Sequence, residues 1–174
     1  MPRQRILALL AGGDRRSVGR SDQVAAIVSK NPDLFPELIA GLRSEDLLVR
    51  MRAADAAEKV SRTTPELLQP HKDELLALMA ETRQQELQWH LAAMVPRLSL
   101  SPAERKSAAS LLNRYLEAES SIVKTSALQG LADLAHGDRA IRETAIKVVR
   151  NAMQNGTPAM KARSRKLLHR LERI

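Results

Sequence analysis

One unit recurs along this chain, and it fixes most of what the chain can fold into. From Ser44 to Val60 the sequence reads SEDLLVRMRAADAAEKV. Val49, Ala53, Ala56, Ala57 and Val60 recur at intervals of three and four, which places them on one face of an α-helix. That face is mostly alanine, so a second helix can approach closely. Arg50, Arg52, Asp55, Glu58 and Lys59 occupy the rest of the cylinder. An apolar run from Leu34 to Leu42 precedes it, bounded by Pro32 and by Arg43-Ser44-Glu45, so the unit is helix, tight turn, helix. Aligned on Val49-Arg50, it returns at Gln88-Trp89, Val123-Lys124 and Met160-Lys161, with offsets of 39, 35 and 37 residues. A small residue follows three places after each pair: Ala53, Ala92, Ala127 and Ser164. Each helix closes on an apolar residue ten places on, except in the second copy, where that place falls on Ser99 and Leu98 takes it. A fixed period of this length predicts a solenoid of helical hairpins, none of which buries its apolar face alone.

Composition agrees. Of 174 residues 44% are hydrophobic but only 2% aromatic, namely Phe35, Trp89 and Tyr115. A core of Leu, Ala, Val, Ile and Met suits closely packed helices, and the expected class is all-α. There is no cysteine, which excludes disulfides and thiolate chemistry. The longest apolar runs, Ile6–Ala11 and Leu75–Ala80, hold six residues each. A bilayer takes about 20, so no membrane insertion is expected, and the expected location is the cytoplasm. The net charge of +8 and a pI near 10.4 favour an anionic partner without choosing one.

The motifs Leu-Leu-Val-Arg-x-x-Ala-Ala at 47–54, Ser-Ile-Val-Lys-x-x-Ala-Leu at 121–128 and Met-Lys-x-x-Ser at 160–164 resemble the HEAT/armadillo class of helical repeats. The likeness spans about residues 31–174. It implies a right-handed α-solenoid of about four HEAT-like hairpins, with a partial repeat from Ser21 to Lys30 at its start. Residues 1–20 form a basic N-terminal arm with a short helix at Arg5–Leu10, and residues 21–174 form one repeat domain. The resemblance also implies that the arginine of each Val-Arg pair links neighbouring repeats, a role that would fall to Arg50 and Lys124.

The arm carries Arg3, Arg5, Arg15, Arg16 and Arg20 against one acid, Asp14, within a glycine-flanked loop. A phosphate-binding loop needs four residues between its glycines and then Lys-Ser/Thr. Here five separate Gly13 from Gly19 and Arg20 follows, so the loop is read as a connector, or as an anion-contacting arm. Pro96 predicts a kink or an early end to the Trp89 helix. Ser101-Pro102-Ala103-Glu104 predicts a capped start, as does Thr157-Pro158.

The last helix carries the chain's charge. Met160, Ser164, Leu167, Leu168, Leu171 and Ile174 make its buried stripe. Lys161, Arg163, Arg165, Lys166, Arg170 and Arg173 against the single acid Glu172 put +5 of the chain's +8 there. Arg163, Lys166, Arg170 and Arg173 share one side at helical spacing. That stripe is either a solvated face or a ligand-contacting one. Matching positions across repeats give the ladders Arg50/Trp89/Lys124/Lys161, Arg52/Leu91/Ser126/Arg163 and Asp55/Met94/Gln129/Lys166. Trp89 either plugs a repeat junction or, exposed, anchors a partner. The neighbouring His90 is a surface or interface residue.

These residues point to a non-catalytic binding module that holds an acidic protein segment. Its contact set is Arg52, Trp89, His90, Lys124, Lys161, Arg163, Lys166, Arg170 and Arg173, and no cofactor or metal is called for. The four histidines, His71, His90, His136 and His169, lack paired carboxylates at ligand spacing. Electrostatic binding of DNA or RNA by the same cations is the alternative, which few aromatics support. More remote is a HEAT-like alkylation-repair DNA glycosylase, whose tryptophan and catalytic carboxylate stand one turn apart. One turn after Trp89 stands Ala93, leaving Asp55 as the available carboxylate. A continuous basic groove that includes Lys124 and Lys161 would favour nucleic acid. A basic end beside an apolar Leu91/Met94 patch would favour a protein.

Overall fold

A computed structural model describes residues 5–14 and 16–173. The readings above that involve Arg3, Arg15, Ile174 or the side chain of Arg5 lie outside the described residues. Among those residues all regular structure is helical and no strand occurs. Among the described residues no helix is long and apolar enough to cross a membrane. The chain forms two compact units, Met1–Leu75 and Leu76–Ile174.

The first unit is built on α1 (Arg5–Leu10), α2 (Ser21–Lys30), α3 (Phe35–Ala40) and α4 (Leu47–Thr63), with 3-10 turns at Pro32–Leu34, Gly41–Arg43 and Pro65–His71. Asp46 caps α4, its carboxylate accepting from the backbone N–H groups of Leu48 and Val49. The alanine face of α4 is buried as its spacing predicts, and α1, α2 and α3 all pack on that helix. Gly41 allows the close approach: a Cβ there would lie 2.8 Å from the Ala53 methyl. The polar side of α4 departs from expectation, since Arg52 and Glu58 are also buried. Glu58 is held by Arg62 one turn on, and Asp55 accepts from Ser21 and from Lys59. Partial burial works against the Lys59 ammonium, but hydrogen bonds and charge from Asp22 and Asp55 hold its pKa above the ordinary lysine value.

The helices that follow are α5 (Lys72–Glu81), α6 (Gln85–Met94), α7 (Pro102–Tyr115), α8 (Ser121–Leu134), α9 (Arg139–Asn155) and α10 (Pro158–Leu171). In the second unit α8 is central, packing against α6, α7, α9 and α10, while α9 also packs on α10. Gly130 lets α6 and α8 meet, for a Cβ there would come within 2.7 Å of the Ala92 carbonyl oxygen. Tyr115 is buried and donates its hydroxyl proton to the Met79 carbonyl. Ser101 and Glu104 form the expected capping box on α7. Ser120, Asp138 and Thr157 cap α8, α9 and α10. As Pro96 predicts, α6 ends at Met94 and passes into a 3-10 turn at Val95–Arg97.

The caps correct the register of the alignment read from the sequence. The N-caps of α4, α6, α8 and α10 are Asp46, Gln84, Ser120 and Thr157, spaced by 38, 36 and 37 residues. The partner of Val49-Arg50 is therefore Leu87-Gln88, one residue before the pair the sequence suggests. Two side-chain bonds agree. Ser44 Oγ accepts from the Asp46 N–H, and Thr82 Oγ1 accepts from the Gln84 N–H. Arg50 donates to the Ser44 carbonyl, and Gln88 donates to the Thr82 carbonyl. The corrected spacing removes the exception at Ser99, since Val60, Leu98, Leu134 and Leu171 now correspond and all four are buried. Arg50 departs from its expected role, since its guanidinium bonds the Ser44 carbonyl in the turn before its own helix.

Candidate functional site

In the second unit, α8 and α10 bring polar side chains together along one line. Arg163 Nη1 donates to Gln129 Oε1 at 2.9 Å. Gln129 Nε2 donates to Asp133 Oδ1 at 2.9 Å, and Arg170 Nη2 donates to the same oxygen at 2.7 Å. The chain Arg163–Gln129–Asp133–Arg170 fixes two exposed guanidinium groups two helical turns apart, about 10 Å along α10. Asp133 and Arg170 stand at matched places, thirteen residues after the caps Ser120 and Thr157. Lys166 is exposed on the same side of α10, and Arg173 is exposed in the turn just past its end. At 3.6 residues per turn, Arg163, Lys166 and Arg170 fall within about 60° of arc. A shallow depression at the end of the line is lined by Ala132, Asp133, His136, Arg170 and Arg173. Arg105 borders this end, donating to the carbonyls of Leu134 and His136. Glu172 is drawn to Arg150 of α9, so the one acid of the last helix is itself paired.

The other expected contact residues do not all join this line. Lys161 lies about 160° around α10 from Arg163, and Lys124 lies equally far around α8 from Ser126. Both are half-buried. Thus the basic groove containing Lys124 and Lys161 does not form with Arg163 and Lys166. Leu91 and Met94 are fully buried, so the apolar patch expected of them is also absent. With the register corrected, their places in the ladders pass to His90 and Ala93. Trp89 is half-buried, its ring meeting that of His90 edge-on with centroids 5.7 Å apart.

Arg52 requires the largest correction. It is 2% exposed, out of reach of a partner. Its guanidinium donates to the carbonyls of Leu10, Gly12, Asp14 and Ser17. The glycine-flanked loop is therefore no phosphate cradle. A phosphate site aims N–H groups at its ligand, whereas this loop aims carbonyl oxygens at the chain's own arginine. Gly12, Gly13 and Gly19 have positive φ, which a loop turning its carbonyls inward needs. A Cβ on Gly19 would lie 2.6 Å from Arg52 Cζ. Arg16 and Arg20 remain exposed on the outside of the loop.

No family model matches this sequence, and no curated protein matches it either. The fold is similar to that of an engineered protein known from a crystal structure. The TM-score is 0.67 at 17% identity, covering 98% of this chain and 79% of that one. At such identity the likeness is one of fold alone.

Asp55, the carboxylate a glycosylase reading needs, belongs to the first unit and is engaged by Ser21 and Lys59. Among the described residues no group of three or more His, Asp or Glu side chains could hold a metal ion. Asp133 and Ile122 lie outside the contact set expected from the sequence, and His136 was weighed there only as a metal ligand. Asp133 was detectable as the matched counterpart of Arg170. Ile122 is 57% exposed beside the fully buried Val123. Its signal was the spacing 122, 126, 129, 133, which puts one apolar residue on an otherwise polar helical stripe.

Proposed function

We propose that this protein is a non-catalytic binding module of HEAT-like helical hairpins that holds an acidic protein segment against α8 and α10. The observation that carries the proposal is the line Arg163–Gln129–Asp133–Arg170, with Lys166 and Arg173 beside it. Side chains already held by hydrogen bonds lose less entropy when a carboxylate arrives, and arginine meets a carboxylate bidentately. The hairpin reading is supported by the near-constant spacing of the caps and by burial at matched positions. A protein segment is favoured over nucleic acid by the mixed polarity of the face. Asp133 interrupts the cations, and Lys124 and Lys161 point elsewhere, whereas a phosphate backbone is met best by an unbroken positive track.

The test is fluorescence anisotropy with a labelled Glu/Asp-rich peptide, alongside labelled duplex DNA, single-stranded DNA and RNA, each over a salt series. The triple variant Arg163→Ala/Lys166→Ala/Arg170→Ala is measured in parallel. The expected result is peptide binding that the triple variant loses. Tight nucleic-acid binding with a steep salt slope that flattens in the variant would replace this reading with the electrostatic one. Binding to none of the probes at low salt would remove both.

A further inference from the structure

We propose, building on the reading just given, that the seam between α8 and α10 takes an extended peptide with an apolar residue at one position and carboxylates three and five residues away. The apolar residue seats on Ile122, and the carboxylates meet Arg163 and Arg170.

Ile122 is one of the most exposed large apolar side chains among the described residues. A single exposed isoleucine is ordinary on a protein surface; its surroundings distinguish this one. It begins the stripe Ile122, Ser126, Gln129, Asp133 on α8, and the last two members of that stripe hold Arg163 and Arg170 of α10. Along a helix rising 1.5 Å per residue, Gln129 is about 10 Å and Asp133 about 16 Å from Ile122. An extended peptide advances about 3.3 Å per residue, so these lengths correspond to about three and five residues.

Both offsets are odd, and successive side chains of an extended strand point to opposite sides. A peptide laid along the seam therefore turns its apolar residue toward α8 and both acids toward α10. This is where the cations stand. A carboxylate at the second site enters the depression between Arg170 and Arg173, where Asp133 already orients Arg170. Arg170 and Arg173 outweigh Asp133 in that depression by one charge, so charge complementarity favours an acidic occupant, and Ile122 sets its register. A uniformly acidic chain would leave the isoleucine against charge.

The experiment uses labelled Gly/Ser peptides carrying one Leu and two Glu at the stated spacing, made in both sequence directions. One control replaces Leu with Ser, and another places both Glu next to Leu. Protein variants are Ile122→Asn and the triple cation variant, with circular dichroism to confirm folding. The expected result is that one direction binds, and that Ile122→Asn, the Leu→Ser peptide and the compressed spacing each weaken binding about tenfold, the loss expected when an apolar contact of this size is removed. If Ile122→Asn and Leu→Ser leave affinity within about twofold while the cation variant abolishes it, the register proposal fails and the acidic-partner reading stands. If no peptide binds, whatever its spacing, both fail.

Discussion

Arg52 and Arg163 stand at the same place in their helices, six residues after the caps Asp46 and Thr157, and they do opposite things. Arg52 lies beneath the loop that carries Gly12, Asp14 and Ser17 and donates hydrogen bonds to four of the chain's own carbonyls. Arg163 has no such loop over it; it stays exposed and is steadied by Gln129. The position is the same, and what covers it decides its role. In the first unit it holds the fold together. In the second it leaves a charge at the surface, oriented and available.

The largest effect should come from the covered arginine. Arg52→Met removes the charge, strands the buried Leu10 carbonyl and loosens three part-buried ones, so stability to denaturant should fall by roughly 3 kcal/mol. A loss under about 1 kcal/mol would mean the loop does not depend on this side chain. Gly19→Ala tests the same lock from the loop side. It combines a positive φ of 55° with a Cβ 2.6 Å from the guanidinium carbon, and should destabilise by about 1–3 kcal/mol.

The second unit has a buried lock of its own, and it is sensitive to pH. Burial raises the Tyr115 pKa well above the ordinary tyrosine value, and its hydroxyl donates to the Met79 carbonyl. Because the folded-state value is raised, this contribution is full below about pH 10 and is lost as pH climbs above it. Tyr115→Phe should cost about 1 kcal/mol at neutral pH and should flatten the alkaline end of the stability profile. An unchanged alkaline profile would show that another group governs it.

Ser164 gives an effect of opposite sign. It is fully buried on the inner face of α10 and its hydroxyl has no hydrogen-bond partner. Ser164→Ala should therefore stabilise by about 1 kcal/mol. The smallest effect belongs to the open arginine. Arg163→Ala should change stability by less than about 1 kcal/mol, as expected of an exposed polar contact, while weakening the acidic peptide. A stability loss as large as that of Arg52→Met would erase the distinction between the two positions.

What was legible in the sequence was local. Spacing marked the buried faces, and Ser101 and Thr157 announced their helices, because an N-cap acts within a few residues. The register slip at Trp89 has a local cause as well. Gln84 caps α6 without accepting a side-chain hydrogen bond, so the signal that marks the other three starts is missing there. Alignment by residue type then matched Trp89 to Arg50. The role of Arg52 was not legible, because its acceptors lie 35 to 42 residues away in a loop that reads as solvated. Asp133 could be singled out only as the residue matched to Arg170, and what it does depends on that arginine, 37 residues on. The charge of α10 was plain, but which of its cations share a face with α8 depended on which side of the helix is buried.

The most direct measurement follows the arginine Nε–H resonances of the 15N-labelled protein by NMR while an acidic peptide is added. The account predicts that the Arg163 and Arg170 resonances shift progressively while that of Arg52 stays fixed. Shifts confined to Arg52, or to Arg16 and Arg20 outside the loop, would contradict it and move the binding face to the first unit.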